Sequence, residues 1–229
     1  MNEVVLIVGA GDGLSASLAR RFAREGARIV LAARTPAKLG DVVAATRAQV
    51  VRCDATVRDD VDALFAECDA GVGAPDVVVY NASGRLRGPL VDLDPAAVKQ
   101  ALEVSAYGGF LVAQAAAKRM LRKGRGTILL TGASASVKGY AQSAAFAMGK
   151  FALRGLAQSM ARELHPQNIH VAHFVIDGGI RSASRPVPAE SPDSLLDPDA
   201  IADTYFHVAR QARSVWTWEV ELRPWVEKF

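Results

Sequence analysis

Short runs rich in β-branched residues recur from one end of the chain to the other, and this alternation constrains the fold more than any other feature. Residues 4–8, 28–33, 50–53, 77–80, 127–131, 170–176 and 219–222 read as strands. Between them, residues 14–25, 37–46, 59–69, 95–123, 144–165 and 198–213 place apolar side chains at helical spacing. A β-α-β alternation of this kind predicts a parallel sheet covered by helices on both faces. With right-handed crossovers it becomes a doubly wound α/β sheet of about seven strands. A chain of 229 residues buries a core of that size without a staple, and no repeat or linker divides it, so one domain over residues 1–229 is expected.

Local signals mark several boundaries. Asp94 followed by Pro95 is an N-cap with proline at the first helical position, and Gly124 and Gly126 mark the exit of the 95–123 helix. The one irregular stretch, residues 181–198, carries Pro186, Pro188, Pro192 and Pro198. It is longer than an ordinary αβ connection and is a candidate substrate lid, with a plain surface loop as the alternative.

Several function classes recede on composition. Cys53 and Cys68 are too few for a disulfide framework and read as free thiols in a reducing compartment. The N-terminus shows no basic leader or cleavage site, and no apolar run approaches the roughly 18 residues that span a bilayer, so a cytoplasmic protein without a membrane segment is expected. The net charge is +3 with arginines dispersed among acids, which does not make a nucleic-acid face. His170 and His173 differ by an odd number on a strand and face opposite sides, so no metal site is expected. The aromatic tail, residues 215–229, reads as a terminal strand and a subunit contact.

The first strand runs into "VGAGDGLSASLARRF". Gly9, Gly11 and Gly13 stand between strand and helix, where a pyrophosphate sits against backbone N–H groups at a helix N-terminus. A Cβ would block such a turn and the approach of the phosphate. The stretch is not G-x-G-x-x-G, because position 14 is Leu14; it resembles T-G-x-x-x-G-x-G of the short-chain dehydrogenase/reductase family, with Val8 for threonine and Ser15 for the last glycine. Further stretches resemble that family in order: Asp54 in "VRCDAT", "YNASG" at residues 80–84, "RGTILLTGAS", the helix containing Lys150, and "IDGGIRS" at residues 176–182. The resemblance implies a Rossmann-type fold and a nicotinamide dinucleotide held by Gly9, Gly11, Asp12, Gly13, Leu14, Arg34, Asp54, Asn81, Ala82, Ser83, Lys150, Gly178, Ile180 and Ser182. At the end of the second strand, Ala33 stands where an acid would hold a ribose 2′-hydroxyl, and Arg34 follows with a guanidinium suited to a 2′-phosphate. NADP(H) is therefore preferred, with NAD(H) as the alternative; Asp12 in the turn weighs the other way.

The resemblance also implies a tyrosine that gives or takes the proton, a lysine that lowers its pKa, a serine that orients the substrate oxygen and an asparagine in a proton relay. In "AAFAMGK" the lysine maps onto Lys150 and its partner onto Phe146; the serine maps onto Ala133 and the asparagine onto Ser105. Three of the four positions depart from the pattern. Phenylalanine transfers no proton and alanine binds no alkoxide, and loss of one such group typically costs about 10²–10⁴ in rate. Replacement hydroxyls lie nearby: Tyr140 is the preferred acid, with Ser134, Ser143, Tyr107 and Ser105 behind it. Arg85, Arg87, Arg181 and Arg185 read most simply as solvated arginines, with a carboxylate or phosphate substrate as the alternative.

Two functions from different classes follow. One is an atypical NADP(H)-dependent oxidoreductase that passes hydride to or from a small carbonyl, alcohol or iminium compound without the tyrosine. The other is a non-catalytic dinucleotide-binding or scaffold protein on the same fold, and non-redox chemistry such as elimination in the same cleft is a third, weaker possibility. The resemblance implies a homodimer or homotetramer through the 95–123 and 144–165 helices, where Ala113, Ala115, Ala116 and Ala117 suit close packing.

Overall fold

A computed structural model of the chain describes residues 3–227; Met1, Asn2, Lys228 and Phe229, at the ends of the expected domain and of its aromatic tail, lie outside the described residues. Seven strands, β1 (Val4–Val8), β2 (Arg28–Ala33), β3 (Gln49–Arg52), β4 (Val77–Tyr80), β5 (Gly126–Thr131), β6 (Ile169–Ile176) and β7 (Glu219–Leu222), form one sheet in the order β3-β2-β1-β4-β5-β6-β7. Every neighbouring pair is parallel. The fold is the single-domain, doubly wound α/β sheet that the alternation predicts.

β1, β4 and β6 are buried at every residue. A central strand covered on both faces has no polar side, which is why these runs read as continuous apolar stretches instead of alternating ones. Their side chains divide by parity between two cores. Val4, Leu6 and Val8 pack with Leu64 and Phe65 of α3 (Arg58–Ala70), Leu111 and Val112 of α5 (Gly108–Lys123) and Leu153 of α6 (Ala144–Leu164). Val5 and Ile7 pack with Leu18 and Phe22 of α1 (Leu14–Arg24) and Ile201 and Tyr205 of α7 (Pro198–Ala209). Cys53 and Cys68 are free and buried, and burial pushes their thiols up to about 12 and about 11.

The helix predicted over 95–123 is interrupted. α4 (Pro95–Leu102) begins at Asp94, whose carboxylate accepts from the N–H groups of Ala96 and Ala97, and passes through a π-helical turn, Glu103–Tyr107, into α5. The Tyr80 hydroxyl donates to the Val104 carbonyl within that turn. Gly108 follows because a Cβ there would lie 2.5 Å from the same hydroxyl. The 37–46 segment is likewise split, into a 3-10 turn at Pro36–Leu39 and α2 (Gly40–Thr46). α7 ends at Ala209, short of the expected residue 213; Arg210 caps it and pairs with Glu3.

Ala113, Ala115 and Ala116 are buried within the chain's own core and Ala117 packs against it, so the close packing they permit is internal. Tyr107, Phe110, Leu121, Met148 and Phe151 are apolar residues that this region turns outward. Residues 181–198 carry no helix or strand before Pro198 starts α7. The segment is closed at its neck by a parallel bridge between Ile180 and Leu196 and by an Arg181–Asp197 ion pair at 2.9 Å. Among the described residues no helix is long and apolar enough to cross a membrane.

Candidate active site

Strand order reverses between β1 and β4, and the carboxyl ends of the strands on either side of that point carry the residues singled out from the sequence. Gly9 sits at φ +82°, and a Cβ on it would lie 2.6 Å from Ala82 Cα, so the loop after β4 dictates glycine here. A Cβ on Gly11 or Gly13 would meet nothing within 4 Å. α1 opens directly behind this space with no side-chain cap and no acid in its first turn; Ala16 N–H turns back to the Gly13 carbonyl at 2.9 Å, so Leu14 and Ser15 bring the N–H groups that could meet an anion. Leu14 anchors the turn from below, 6% exposed, while Asp12 is exposed at its tip. Ser15, in the place of the family's last glycine, donates to the Gly9 carbonyl at 3.2 Å and accepts from Asn81 Nδ2 at 2.7 Å. The hydroxyl thus ties the turn to the end of β4.

Arg34 is exposed beyond the end of β2. Near it the Asp54 carboxylate accepts from Thr56 N–H at 3.0 Å and Oγ1–H at 2.8 Å. Burial raises the Asp54 pKa, but the Thr56 hydrogen bonds and the charges of Arg34 and Arg52 outweigh it and hold the group below its ordinary range. An open cradle at a helix N-terminus, with an acid and a guanidinium at the ends of the next strands, fits a dinucleotide. Asn81, Ser83, Gly178, Ile180 and Ser182 line the adjoining cleft, and Ala82 backs Gly9.

That cleft has a volume of about 870 Å³ and opens at the ends of β4, β5 and β6. Lys150 lies on its wall, 2% exposed, with Nζ donating to the Thr131 carbonyl at 2.8 Å and no carboxylate partner among the described residues. Burial, and then the nearby charge of Arg85, bring its ammonium down to about 7. Two cations lie near the half-buried Phe146 ring, with Lys150 Nζ 5.9 Å and Arg85 Cζ 5.2 Å from its centroid. The ring face is electronegative and attracts both. Of the proposed hydroxyls, Tyr140, Ser134 and Ser143 line the cleft; Tyr140 is exposed, Ser134 half-buried and Ser143 buried. Ser105 is buried behind the wall, where its Oγ accepts from Gly84 N–H at 2.9 Å and Gly149 packs against its Cβ. Its position braces the loop carrying Arg85.

Two features were not read from the sequence. Arg85 stands beside the lysine, a juxtaposition of the β4 loop with α6 that no local pattern encodes. The second is a buried chain of polar groups beneath the β5 loop. Ala133 N–H donates to Ser136 Oγ at 3.2 Å, Ser136 Oγ contacts His173 Nε2 at 3.4 Å, and His173 Nδ1 contacts Glu219 Oε2 at 3.1 Å. Arg154 completes it with two bonds to Glu219 at 2.6 and 2.8 Å. Burial, only partly offset by Glu219, pulls His173 down to about 4, so the ring is neutral. The tautomer assigned by this network carries its proton on Nδ1 and accepts from Ser136. Ser136 and His173 share the order of a hydrolytic triad with Glu219, yet both are 0% exposed, which makes the chain a brace and not a nucleophile. His170 points elsewhere, its ring stacked on Trp216.

Fold and site together define a Rossmann-type dinucleotide-binding oxidoreductase. The chain belongs to the short-chain dehydrogenase family, whose model matches residues 3–185. It is similar to a short-chain dehydrogenase from Rhodopseudomonas palustris, 35% identical over 98% of this chain and 100% of that one, with a TM-score of 0.86. A metagenomic short-chain oxidoreductase solved in complex with NADP is 30% identical over 99% and 98% of the two chains, with a TM-score of 0.84. An uncharacterized oxidoreductase of Staphylococcus aureus (strain N315) is 26% identical over 97% of each chain.

Proposed function

We propose that the protein is an NADP(H)-dependent oxidoreductase that moves hydride between cofactor and a small carbonyl or alcohol compound without a catalytic tyrosine. The observation that carries this is Lys150, a buried ammonium that has no counter-ion among the described residues and faces the cleft beside the dinucleotide cradle. When bound, the nicotinamide supplies or accepts the hydride. The chain's own groups then answer the charge that forms. As hydride reaches the carbonyl carbon, the C=O π pair collects on oxygen, and the cations Lys150 and Arg85 stabilise it more than the neutral ground state. Lys150, with a pKa near neutrality, gives its proton to that oxygen and is recharged from solvent. Tyr140 on the same wall is the alternative donor. The same positive field repels a cationic acceptor, so the carbonyl reading is favoured over the iminium one.

Arg34, with no acid at the end of β2, supports NADP(H) over NAD(H), and the relative solved with NADP points the same way. A cytoplasmic setting, a homodimer or homotetramer, and a lid role for residues 181–198 belong to the same reading. Single-turnover oxidation of NADPH over a panel of aldehydes and ketones tests it. Lys150→Met should lose about 10²–10⁴ in rate, with Tyr140→Phe close to wild type. A silent panel would favour the non-catalytic reading, and a loss confined to Tyr140→Phe would move the proton to that phenol.

A further inference from the structure

We infer that the cleft takes an organic oxyanion, its carboxylate or phosphate gripped by Arg85, Arg87 and Arg185, so that the compound oxidised or reduced carries such a group. The reaction rests on the function proposed above; the anion site stands on the arginines alone. All three guanidinium side chains line the one cleft, two from the segment after β4 and one from the 181–198 segment. Among the described residues none of the three has a carboxylate or a side-chain hydrogen-bond partner, whereas Arg21, Arg52, Arg119, Arg154, Arg181 and Arg210 are all in ion pairs. Arg181 is thereby removed from the candidates, engaged by Asp197.

The wall offers these arginines little internal compensation. Of its two acids, Asp177 is paired with Lys138 at 3.1 Å and Arg223 at 3.4 Å, and Glu227 is exposed. Although Arg85 is exposed as a residue, desolvation at the wall comes first, and then the like charges of Arg185 and Arg87, in lowering its proton affinity. Like charges held this close without acids raise the energy of the free protein, and an anion among them relieves it. The geometry also suits a planar ligand. Arg85 lies over the Phe146 ring, and a guanidinium packed by its face keeps its edge N–H groups for a bidentate oxyanion. Arg185 is held in place: its backbone exchanges two 3.0 Å hydrogen bonds with Ser182, and its side chain lies so close over Gly179 that an added Cβ there would be 3.0 Å from Nη1. The cofactor's own phosphates have other candidates, the turn at Gly11–Leu14 and Arg34, while Arg85 stands at the Lys150 end of the cleft.

Calorimetric titration of benzoate, phenyl phosphate and benzamide into the protein, with and without NADPH and at low salt, tests the inference. Benzoate or phenyl phosphate should bind about tenfold or more tightly than neutral benzamide, and the stronger of the two identifies the preferred oxyanion. Arg85→Gln and Arg185→Gln should each weaken the anion about tenfold while NADPH affinity stays within about twofold and the circular dichroism melt is unchanged. Equal binding of benzamide, or anion binding untouched by both variants, overturns it; so does a parallel loss of NADPH affinity, which would assign the guanidiniums to the cofactor. Turnover separates the two proposals. If the anion binds through these arginines but neither 4-carboxybenzaldehyde nor benzaldehyde is reduced, the reductase reading falls and the anion site stands. If benzaldehyde is reduced as fast as its carboxylate and Arg185→Gln changes neither rate, the anion inference falls and the reductase reading stands.

Discussion

At Phe146, where the family resemblance implies a proton donor, two cations meet an apolar ring instead. Its ring is close enough to both Lys150 and Arg85 to attract them, a partial offset to burial for an ammonium that has no carboxylate partner among the described residues. The double substitution Phe146→Tyr with Ala133→Ser should raise carbonyl reduction by about 10² or more, because each hydroxyl restores a group of that worth. An inert double variant with intact NADPH binding would show that Arg85 blocks the usual geometry. The lysine sets a pH signature as well. Reduction should slow as pH rises through about 7, where the ammonium loses the proton it donates, and alcohol oxidation should speed up over the same range. A kcat–pH profile measures both, and Lys150→Met should flatten it. Lys150 was legible through the resemblance of its helix to the family's, and the four-residue spacing only adds that it shares a helix face with Phe146. The identity of the solvated and the converging arginines was not legible, since Arg85 and Arg185 meet only where two distant loops cross one cleft.

Among the elements, β5, β6 and β7 act as a unit. Glu219 lies opposite His173 in the parallel register of β6 and β7, and Arg154 of α6 clamps the carboxylate from outside. The chain ends at Ala133 N–H, so the loop carrying Ala133 and Ser134 into the cleft is positioned from the last strand. Glu219→Gln should cost about 1–3 kcal/mol in urea unfolding at pH 7, through the loss of a partly buried charged acceptor. His173 adds an acid dependence: below about pH 6.5 the unfolded imidazole takes up a proton that the folded one refuses until about 4. Stability should therefore fall across that window, and less so in His173→Gln, as melts between pH 7 and 4 would show. Strands were readable from composition because both faces of this sheet are covered. The π turn inside the 95–123 helix was not, because the contact that occupies it, Tyr80 to Val104, joins residues of different elements. The Asp94–Pro95 start, by contrast, is encoded by adjacent residues and lies where the sequence places it.

For the whole molecule, a doubly wound parallel sheet was legible from the β-α-β alternation and the handedness of crossovers, whereas the strand order, and with it the reversal between β1 and β4 where the cleft lies, was not. Assembly is harder to read. Alanines that pack a helix against its own sheet and alanines that pack it against a second subunit have the same pattern in sequence, and here three of the four are internal. The outward residues Tyr107, Phe110, Met148 and Phe151 stand on α5, its preceding turn and α6, with Tyr107 and Phe110 stacked, and the proposed dimer or tetramer would bury them. Light scattering should give a dimer or tetramer, and Phe151→Asp should shift it to a smaller species; a wild-type monomer would refute the interface. The bridge between Ile180 and Leu196 carries a different consequence. Because the segment enters and leaves at one neck, beside the Arg181–Asp197 pair, β6 and α7 keep their places whatever lies between. What lies between is then a cassette open to drift in length and content across descendants, and, if it is the proposed lid, another protein's cassette spliced at the same two residues should change what the molecule accepts without rewriting the sheet.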